Sequence, residues 1–327
     1  MKLSNFRVVI TGASSGIGAA TAIAFARVGA QLVLGARGQE GLEDIARRCR
    51  AAGAAATDFG IVDVTDAAAV ATFARDARDA LGGIDLWFSD VGIGVVGKYQ
   101  EVPIADHQRV IESNLVGHMN EVHAVLPVYL EQDHGIWVNM ISVGGFVASP
   151  YAAAYSASKF ALRGFSEALR GELKDHPRIH VCDVYPTFVD TPAIYHAGNY
   201  TGARLSFPPG ALDPERVAEA VVALARRPRA TTAVGAPALL MRLAQFVTPI
   251  SKVMDGFMDV WSKQAAHAPD TSGSLYAPPR GASGVRSGVR SGRESESAQH
   301  AQPHSALVVG AALAGALVGL QLLRRRD

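Results

Sequence analysis

Short runs of apolar, β-branched residues alternate with longer stretches of amphipathic helical periodicity from the amino terminus to about residue 235. Such an alternation is typical of βαβ units, in which helices cover both faces of a parallel sheet. The predicted strands are 6–10, 31–36, 59–62, 84–89, 136–141, 180–185 and 231–234, and the predicted helices are 17–28, 39–52, 66–80, 105–131, 155–175 and 214–226. We therefore expect residues 1–235 to form one α/β domain with a doubly wound parallel sheet.

The pattern changes beyond residue 235. Residues 236–269 continue as an amphipathic helical extension. Residues 270–304 are rich in Ser, Gly, Arg and Pro and predict a disordered linker, because too few apolar side chains are present to offset chain entropy. Residues 305–323 are uncharged and apolar, and a helix of that length spans about 28 Å, close to the roughly 30 Å of bilayer hydrocarbon. They predict a single-pass transmembrane helix that anchors the chain by its carboxyl end, with the domain facing the cytosol.

Composition and charge argue against several classes of function. The formal net charge of +1 gives no electrostatic case for binding nucleic acid. The two cysteines, Cys49 and Cys182, have neither a CxxC spacing nor a partner His, so we expect neither a disulfide framework nor a metal site. The first apolar run is short and contains Arg7, unlike a signal peptide. The expected partners are a small-molecule substrate and a membrane.

A glycine-rich turn, TGASSGIG at residues 11–18, follows the first predicted strand and opens the first helix. Gly12 permits a tight turn, Gly16 lets the backbone approach a pyrophosphate, and Gly18 allows close packing. The free amides at the start of the helix attract the anion. In this context the turn predicts a Rossmann-like dinucleotide site, which also includes Ser14, Ser15 and Ile17. The alternative is a purely structural turn before an Ala-rich helix.

The residues after the second strand indicate which dinucleotide binds. Ala36 and Arg37 stand where an acidic residue would bond a ribose 2′-hydroxyl, and no carboxylate occurs before Glu40. An arginine at this place accommodates a 2′-phosphate, so NADP(H) is favoured over NAD(H). Asp63 and Val64 follow the third strand and are placed to meet the adenine edge, although a capping role for Asp63 stays open.

Three side chains predict the chemistry. Tyr155 and Lys159 lie four residues apart at the start of a helix, so both project from one face. An ammonium group near a phenol favours the phenolate, so we expect Lys159 to lower the pKa of Tyr155 and to let it exchange a proton with a reacting oxygen. Ser142 ends a buried strand at the carboxyl edge of the sheet, where ligands bind in open α/β folds. A Tyr-xxx-Lys pair alone is more often an exposed helical face, but its place behind the glycine turn favours an active site.

With these motifs the chain resembles the classical short-chain dehydrogenase/reductase family across residues 5–235. The matching features, in chain order, are TGxxxGxG at 11–18, Asn114 in ESNLVG, Ser142, and YSASK at 155–159. The resemblance implies an NADP-dependent oxidoreductase that moves a hydride between nicotinamide and an alcohol or carbonyl carbon. It also implies that Asn114 supports a water path that relays protons to Lys159 and Tyr155.

Two segments match the family only in part. YPTFVDT at 185–191 resembles its Pro-Gly loop, with Thr187 in place of glycine, and the residues implied to address the nicotinamide are Pro186, Val189 and Thr191. Where the family usually has Asn-Asn-Ala-Gly after the fourth strand, this chain has Ser89, Asp90, Val91 and Gly92. Gly92 still allows the backbone near the adenosine ribose, whereas the sheet-bracing contacts of the asparagines are in question.

The main alternative to an enzyme of lipophilic alcohols or ketones is a non-catalytic, membrane-anchored NADP-binding scaffold or redox sensor. The intact Ser142, Tyr155 and Lys159 argue against a scaffold. An isomerising or dehydrating enzyme on the same cofactor is a third option. Apolar residues in the loop 192–212 favour an apolar substrate, namely Ile194, Tyr195, Tyr200, Leu205 and Phe207. Gly315 and Gly319 permit close approach of two membrane helices, which leaves a homo-oligomer open.

Overall fold

A seven-stranded parallel sheet runs through the computed structural model, which describes residues 3–207, 210–235, 265–281 and 284–287. The strands are β1 (Arg7–Thr11), β2 (Gln31–Ala36), β3 (Ala56–Ile61), β4 (Leu86–Ser89), β5 (Val95–Val96), β6 (Gly135–Met140), β7 (Ile179–Pro186), β8 (Gly198–Asn199) and β9 (Thr231–Val234). The sheet order is β3-β2-β1-β4-β6-β7-β9, and β5 pairs separately with β8. The predicted doubly wound parallel sheet is confirmed, with all seven expected strands in it.

Helices cover both faces of this sheet. They are α1 (Gly16–Ala26), α2 (Gln39–Ala52), α3 (Ala67–Leu81), α4 (Ile104–Ile111), α5 (Gly117–Gln132), α6 (Ala153–Glu172), α7 (Ala193–His196) and α8 (Pro214–Arg226). Alternate residues of a strand point to opposite faces. Leu86 and Phe88 therefore join the core under α1, α2 and α8, whereas Trp87 joins the core under α3 and α5.

The order of the strands places a ligand crevice at the carboxyl ends of β1 and β4. The chain builds outward from β1 to β3 and then crosses back to place β4 on the other side of β1. Ligands bind at such a switch point in open α/β sheets. Gly12 and Asp90, which follow these two strands, approach so closely that a Cβ on Gly12 would lie 2.5 Å from the Asp90 carbonyl oxygen.

The predicted helix 105–131 is divided into three parts. A π-helical turn, Glu112–Val116, separates α4 from α5. Single π-helical turns inside α-helices are rare and are found mostly at functional sites. This turn carries Asn114, which is fully buried.

The prediction of a disordered linker over 270–304 is wrong for residues 270–281 and 284–287. Thr271 pairs with Asn199 in an antiparallel bridge, Leu275 is fully buried, and Val285 reaches the main core. Average composition misses this packing because the segment is attached by main-chain bonds, which do not depend on residue type, together with two buried apolar side chains, Leu275 and Val285. Residues 236–264, the rest of the predicted linker and the apolar segment 305–323 lie outside the described residues. Within the described ranges, no helix is both long and apolar enough to cross a membrane.

Candidate active site

Ser142, Tyr155 and Lys159 lie together at the carboxyl edge of the sheet. Ser142 follows β6, and the other two stand in the first turns of α6. A Cβ on Gly144 would lie 3.3 Å from the Tyr155 ring and 3.5 Å from the Ser142 hydroxyl oxygen, so the two side chains flank the same glycine. Lys159 Nζ lies 5.7 Å from the centre of the Tyr155 ring and donates to the Met140 carbonyl oxygen at 2.9 Å. The structure therefore assembles the three predicted residues around one point.

The backbone of Ser142 is held in an unusual conformation. Its backbone φ is +123°, a value that residues other than glycine rarely adopt. The Ser142 hydroxyl oxygen accepts from the amide of Gly144 at 3.1 Å, within the short 3₁₀ turn Val143–Gly145. Strained backbone of this kind persists where surrounding contacts fix it and is concentrated at functional sites.

Asn114 connects the loop after β4 to the catalytic helix. Its amide accepts from the backbone of Ile93 at 2.8 Å and donates to the carbonyl of the same residue at 2.9 Å. It also donates to the hydroxyl of Ser158 at 3.3 Å. A Cβ on Gly92 would lie 3.7 Å from Lys159 Nζ, so glycine keeps the space between this loop and the lysine open. The proton relay implied for Asn114 stays a prediction.

Burial dominates the acid-base properties of the site. It raises the pKa of Tyr155, which the neighbouring Ser142 hydroxyl opposes, and it lowers the pKa of Lys159 to about 8. The predicted lowering of the Tyr155 pKa is therefore wrong, because desolvation of the phenolate raises this pKa by more than the Ser142 hydroxyl lowers it. The carboxyl of Asp90 opposes the lowering of the Lys159 pKa, and burial raises the pKa of Asp90 itself to about 8.

The glycine turn between β1 and α1 fits a dinucleotide. A Cβ on Gly18 would lie 2.4 Å from the Gly12 carbonyl oxygen, so only glycine allows the turn to close onto the helix. Gly16 has a φ of +57° and faces Thr191. The hydroxyls of Ser14 and Ser15 make no hydrogen bond to another residue in the described ranges, and no side chain caps the start of α1. The helix terminus suits a pyrophosphate, with the Gly16 amide donating to the Gly284 carbonyl at 3.0 Å in this structure.

The loop after β7 closes the opposite side of the cleft. Val189 pairs with Leu212, and Thr191 is buried against Gly16. Thr187 donates its amide to the Val234 carbonyl at 3.1 Å, which fastens the loop to β9. Pro186 ends β7, which pairs with β6, so the implied nicotinamide loop begins on the strand next to the one that Ser142 follows.

A model of the short chain dehydrogenase family matches residues 7–198, which hold the glycine turn, Asn114 and the catalytic group. The chain belongs to this family.

Relatives and solved structures agree with this assignment. An uncharacterized oxidoreductase of Staphylococcus saprophyticus is 31% identical over 228 residues, covering 70% of this chain and 94% of the relative. Mouse estradiol 17-beta-dehydrogenase 11 is 30% identical, covering 65% of this chain and 69% of the relative. An alcohol dehydrogenase of Thermococcus sibiricus, solved with 5-hydroxy-NADP, is 28% identical with a TM-score of 0.61, covering 70% of this chain and 95% of that one.

At the predicted adenosine end lies Arg109, which belongs to none of the motifs named above. Arg109 of α4 donates to the Asp63 carboxylate at 2.8 Å and to the Thr65 hydroxyl at 2.9 Å. These bonds and those from Thr65 hold the pKa of Asp63 below its usual range despite burial. Asp63 thus has structural partners in addition to its predicted adenine contact, and the neighbouring Val64 is buried. Sequence reasoning missed Arg109 because a lone arginine on a helix face gives no signal.

Two residues of α5 brace the segment that departs from the family pattern. The Ser89 hydroxyl is bonded to the Glu121 carboxyl and lies 3.0 Å from His118 Nδ1, and His118 Nε2 lies 2.9 Å from the Val91 carbonyl oxygen. Burial lowers the pKa of His118 to about 4 and raises that of Glu121 to about 7. The segment from Ser89 to Val91 is therefore braced by α5.

Proposed function

We propose that the protein is an NADP-dependent oxidoreductase that interconverts an alcohol and its carbonyl. The placement of Ser142 and Tyr155 against the same glycine, Gly144, with the buried Lys159 Nζ 5.7 Å from the Tyr155 ring, carries the proposal. A scaffold would need the turn but not this group of three.

The bound dinucleotide would accept or supply the hydride. Ser142 holds the substrate oxygen through its hydroxyl, which the Gly144 amide fixes in place. Tyr155 exchanges a proton with that oxygen, as a general acid in reduction and a general base in oxidation. Lys159 is charged at neutral pH, because its pKa of about 8 lies above 7, and it binds the ribose.

The preference for NADP rests on Arg37. In the described part of the chain its guanidinium forms no ion pair with a carboxylate, so its charge is left for an anion. The first acidic residue after β2 is Glu40, and it is exposed on α2. The Thermococcus sibiricus enzyme, solved with an NADP derivative, gives independent support.

A lipophilic substrate is the finer part of the proposal. Phe188, in the loop after β7, and Tyr195, in α7, expose apolar surface. The similarity to an estradiol dehydrogenase points in the same direction. We further propose that residues 305–323 anchor the chain to a membrane, into which lipophilic substrates partition, and that the domain faces the cytosol.

The test measures oxidation of NADPH and of NADH with a panel of steroid, retinoid, fatty and aromatic carbonyls. We expect turnover with NADPH and an apolar carbonyl. Tight NADPH binding without turnover on any carbonyl or alcohol would favour the scaffold. The anchor is tested separately with a chain that ends at residue 304, which should no longer sediment with membranes. Continued sedimentation after salt washing would refute the anchor.

A further inference from the structure

The segment after residue 264 crosses the mouth of the proposed dinucleotide cleft. Its first part pairs with the last residue of β8: the Asn199 amide donates to the Thr271 carbonyl at 2.7 Å, and the Thr271 amide donates to the Asn199 carbonyl at 3.0 Å. We call residues 265–281 and 284–287 the strap. Because these bonds connect main chain to main chain over several residues, the start of the strap is a fixed part of the domain.

The strap then holds both arginines at the adenosine end. The Leu275 carbonyl oxygen accepts from Arg37 Nη1 at 3.0 Å and from Arg109 Nε at 3.1 Å. Arg37 also donates to the Ser274 carbonyl at 2.7 Å. Two guanidinium groups that repel one another are thus fixed side by side on one acceptor.

Side-chain contacts keep the Leu275 carbonyl in place. The Leu275 side chain is fully buried in the small core formed with Val95, Val102 and Val110. The next residue, Tyr276, donates its hydroxyl to the Asp106 carboxylate at 2.7 Å. The strap is therefore anchored on both sides of the carbonyl that orients the arginines.

The remainder of the strap reaches the glycine turn. The Gly16 amide donates to the Gly284 carbonyl at 3.0 Å. Val285 packs into the main core, and Arg286 forms an ion pair with Glu215 at 3.1 Å. The strap consequently spans the cleft from the adenosine end to the start of α1.

Carbonyl groups orient a guanidinium without neutralising it. Each arginine has five N–H donors. In Arg37 the strap accepts one bond from Nη1, through the Leu275 carbonyl, and one from Nη2, through the Ser274 carbonyl. Arg109, by contrast, is already neutralised by Asp63. Arg37 keeps its charge and free donors, held in one direction, which is the arrangement that a phosphate monoester requires.

We propose that the strap is part of the dinucleotide site. It closes over the adenosine end, and the carbonyl groups of Ser274 and Leu275 are positioning groups that hold Arg37 for the 2′-phosphate. The inference rests on the proposed NADP function and assigns the selection of that cofactor to a segment outside the matched family region.

The test measures release of NADPH and NADH from the full chain by stopped-flow fluorescence. Leu275→Ala should loosen the strap and release NADPH at least about fivefold faster, since affinity changes within one site appear mostly in the dissociation rate. NADH release should change less, because it lacks the 2′-phosphate. Leu169→Ala, a similarly buried leucine on α6, controls for destabilisation. Tyr276→Phe, at an exposed residue, is a milder variant that should act in the same direction.

Trypsin cleavage after the exposed Arg280 gives a second readout. A strap that closes over the cofactor predicts slower cleavage when NADPH is saturating. Faster cleavage, or slower NADPH release in Leu275→Ala, would show that the strap competes with the cofactor and would overturn the proposal. Release equal to that of Leu169→Ala would also overturn it. If the wild-type protein prefers NADH, the NADP proposal fails. Whether the strap closes over the cofactor is then decided by the rate of NADH release from Leu275→Ala and by the protection of Arg280 from trypsin with NADH bound. Failure to bind either dinucleotide would refute both proposals.

Discussion

The catalytic end and the adenosine end of the cleft are built in different ways. Ser142, Tyr155 and Lys159 come from one short stretch of chain, which β6 and α6 hold in place. Arg37 is oriented by a carbonyl 238 residues away in the chain. The proposed reaction chemistry is thus encoded locally, whereas the proposed selection of the cofactor depends on long-range polar contacts.

The two ends also differ in their exposure to water. Lys159 is 3% exposed, whereas Arg37 is only half-buried. Electrostatic interactions are stronger where water is excluded. We therefore expect substitutions at the catalytic end to have large effects on turnover, and those at the adenosine end to have smaller effects on binding.

The largest effect is expected for Tyr155→Phe. The ring stays, but the transferable proton is lost, so single-turnover hydride transfer should fall by about 10²- to 10⁴-fold while NADPH affinity is retained. Tyr129→Phe is the matched control, because it removes a buried hydroxyl bonded to the Ile136 carbonyl, far from the proposed chemistry. Near wild-type hydride transfer in Tyr155→Phe would refute the mechanism.

At the adenosine end, Arg37→Asp should change the choice of cofactor. It removes the proposed 2′-phosphate partner and adds an acceptor for a 2′-hydroxyl, so the ratio of NADPH to NADH affinity should fall by about 10- to 100-fold. Titration of both cofactors measures this ratio. Arg75→Asp, exposed on α3, makes the same charge change on the other face of the sheet and should leave the ratio unaltered. An unchanged ratio in Arg37→Asp would contradict the assignment.

The contrast between the ends explains how far sequence reasoning succeeded. Apolar periodicity predicted all seven sheet strands, because each buried strand carries its own pattern. Ser142, Tyr155 and Lys159 were found for the same reason, since their spacing on one strand and one helix places them together.

What sequence reasoning missed depends on contacts that no local pattern encodes. The carbonyl groups of Ser274 and Leu275 could belong to any residue type, and the strap lies in a segment with the composition of a linker. The bracing role of His118 and Glu121 was missed for a similar reason, because a polar residue in an amphipathic helix is usually solvated. Their positions opposite the unusual Ser89 become informative only when the sheet is assembled.

Glu121→Gln should increase stability at alkaline pH. Burial raises the Glu121 pKa from 4.5 to about 7, so the folded protein binds this proton more tightly, and the resulting stabilisation is lost as the pH rises through about 7. Glutamine keeps the shape without the charge and should raise the Tm by roughly 3 to 8 °C at pH 8, with a smaller gain at pH 5.

Thermal unfolding at the two pH values is the measurement for Glu121. Glu131→Gln, exposed near the end of the same helix, is the control and should not alter the Tm at either pH. An equal gain at pH 5 and pH 8 would mean that ionisation of the buried carboxyl is not the cause.

The smallest expected effect sharpens the catalytic end. Asp90 stands where the family usually has asparagine, and its carboxyl opposes the lowering of the Lys159 pKa. Asp90→Asn removes that opposition, so the Lys159 pKa should fall further below about 8. The alkaline limb of the pH profile of kcat/KM, which reports the free enzyme, should then move to lower pH. As a result, kcat/KM should be about threefold lower near pH 8. A purely structural role for Asp90 would lower kcat/KM at every pH without moving the limb, and a limb that moves to higher pH would contradict the sign of the interaction. Asp76→Asn, exposed on α3, should leave the profile unchanged.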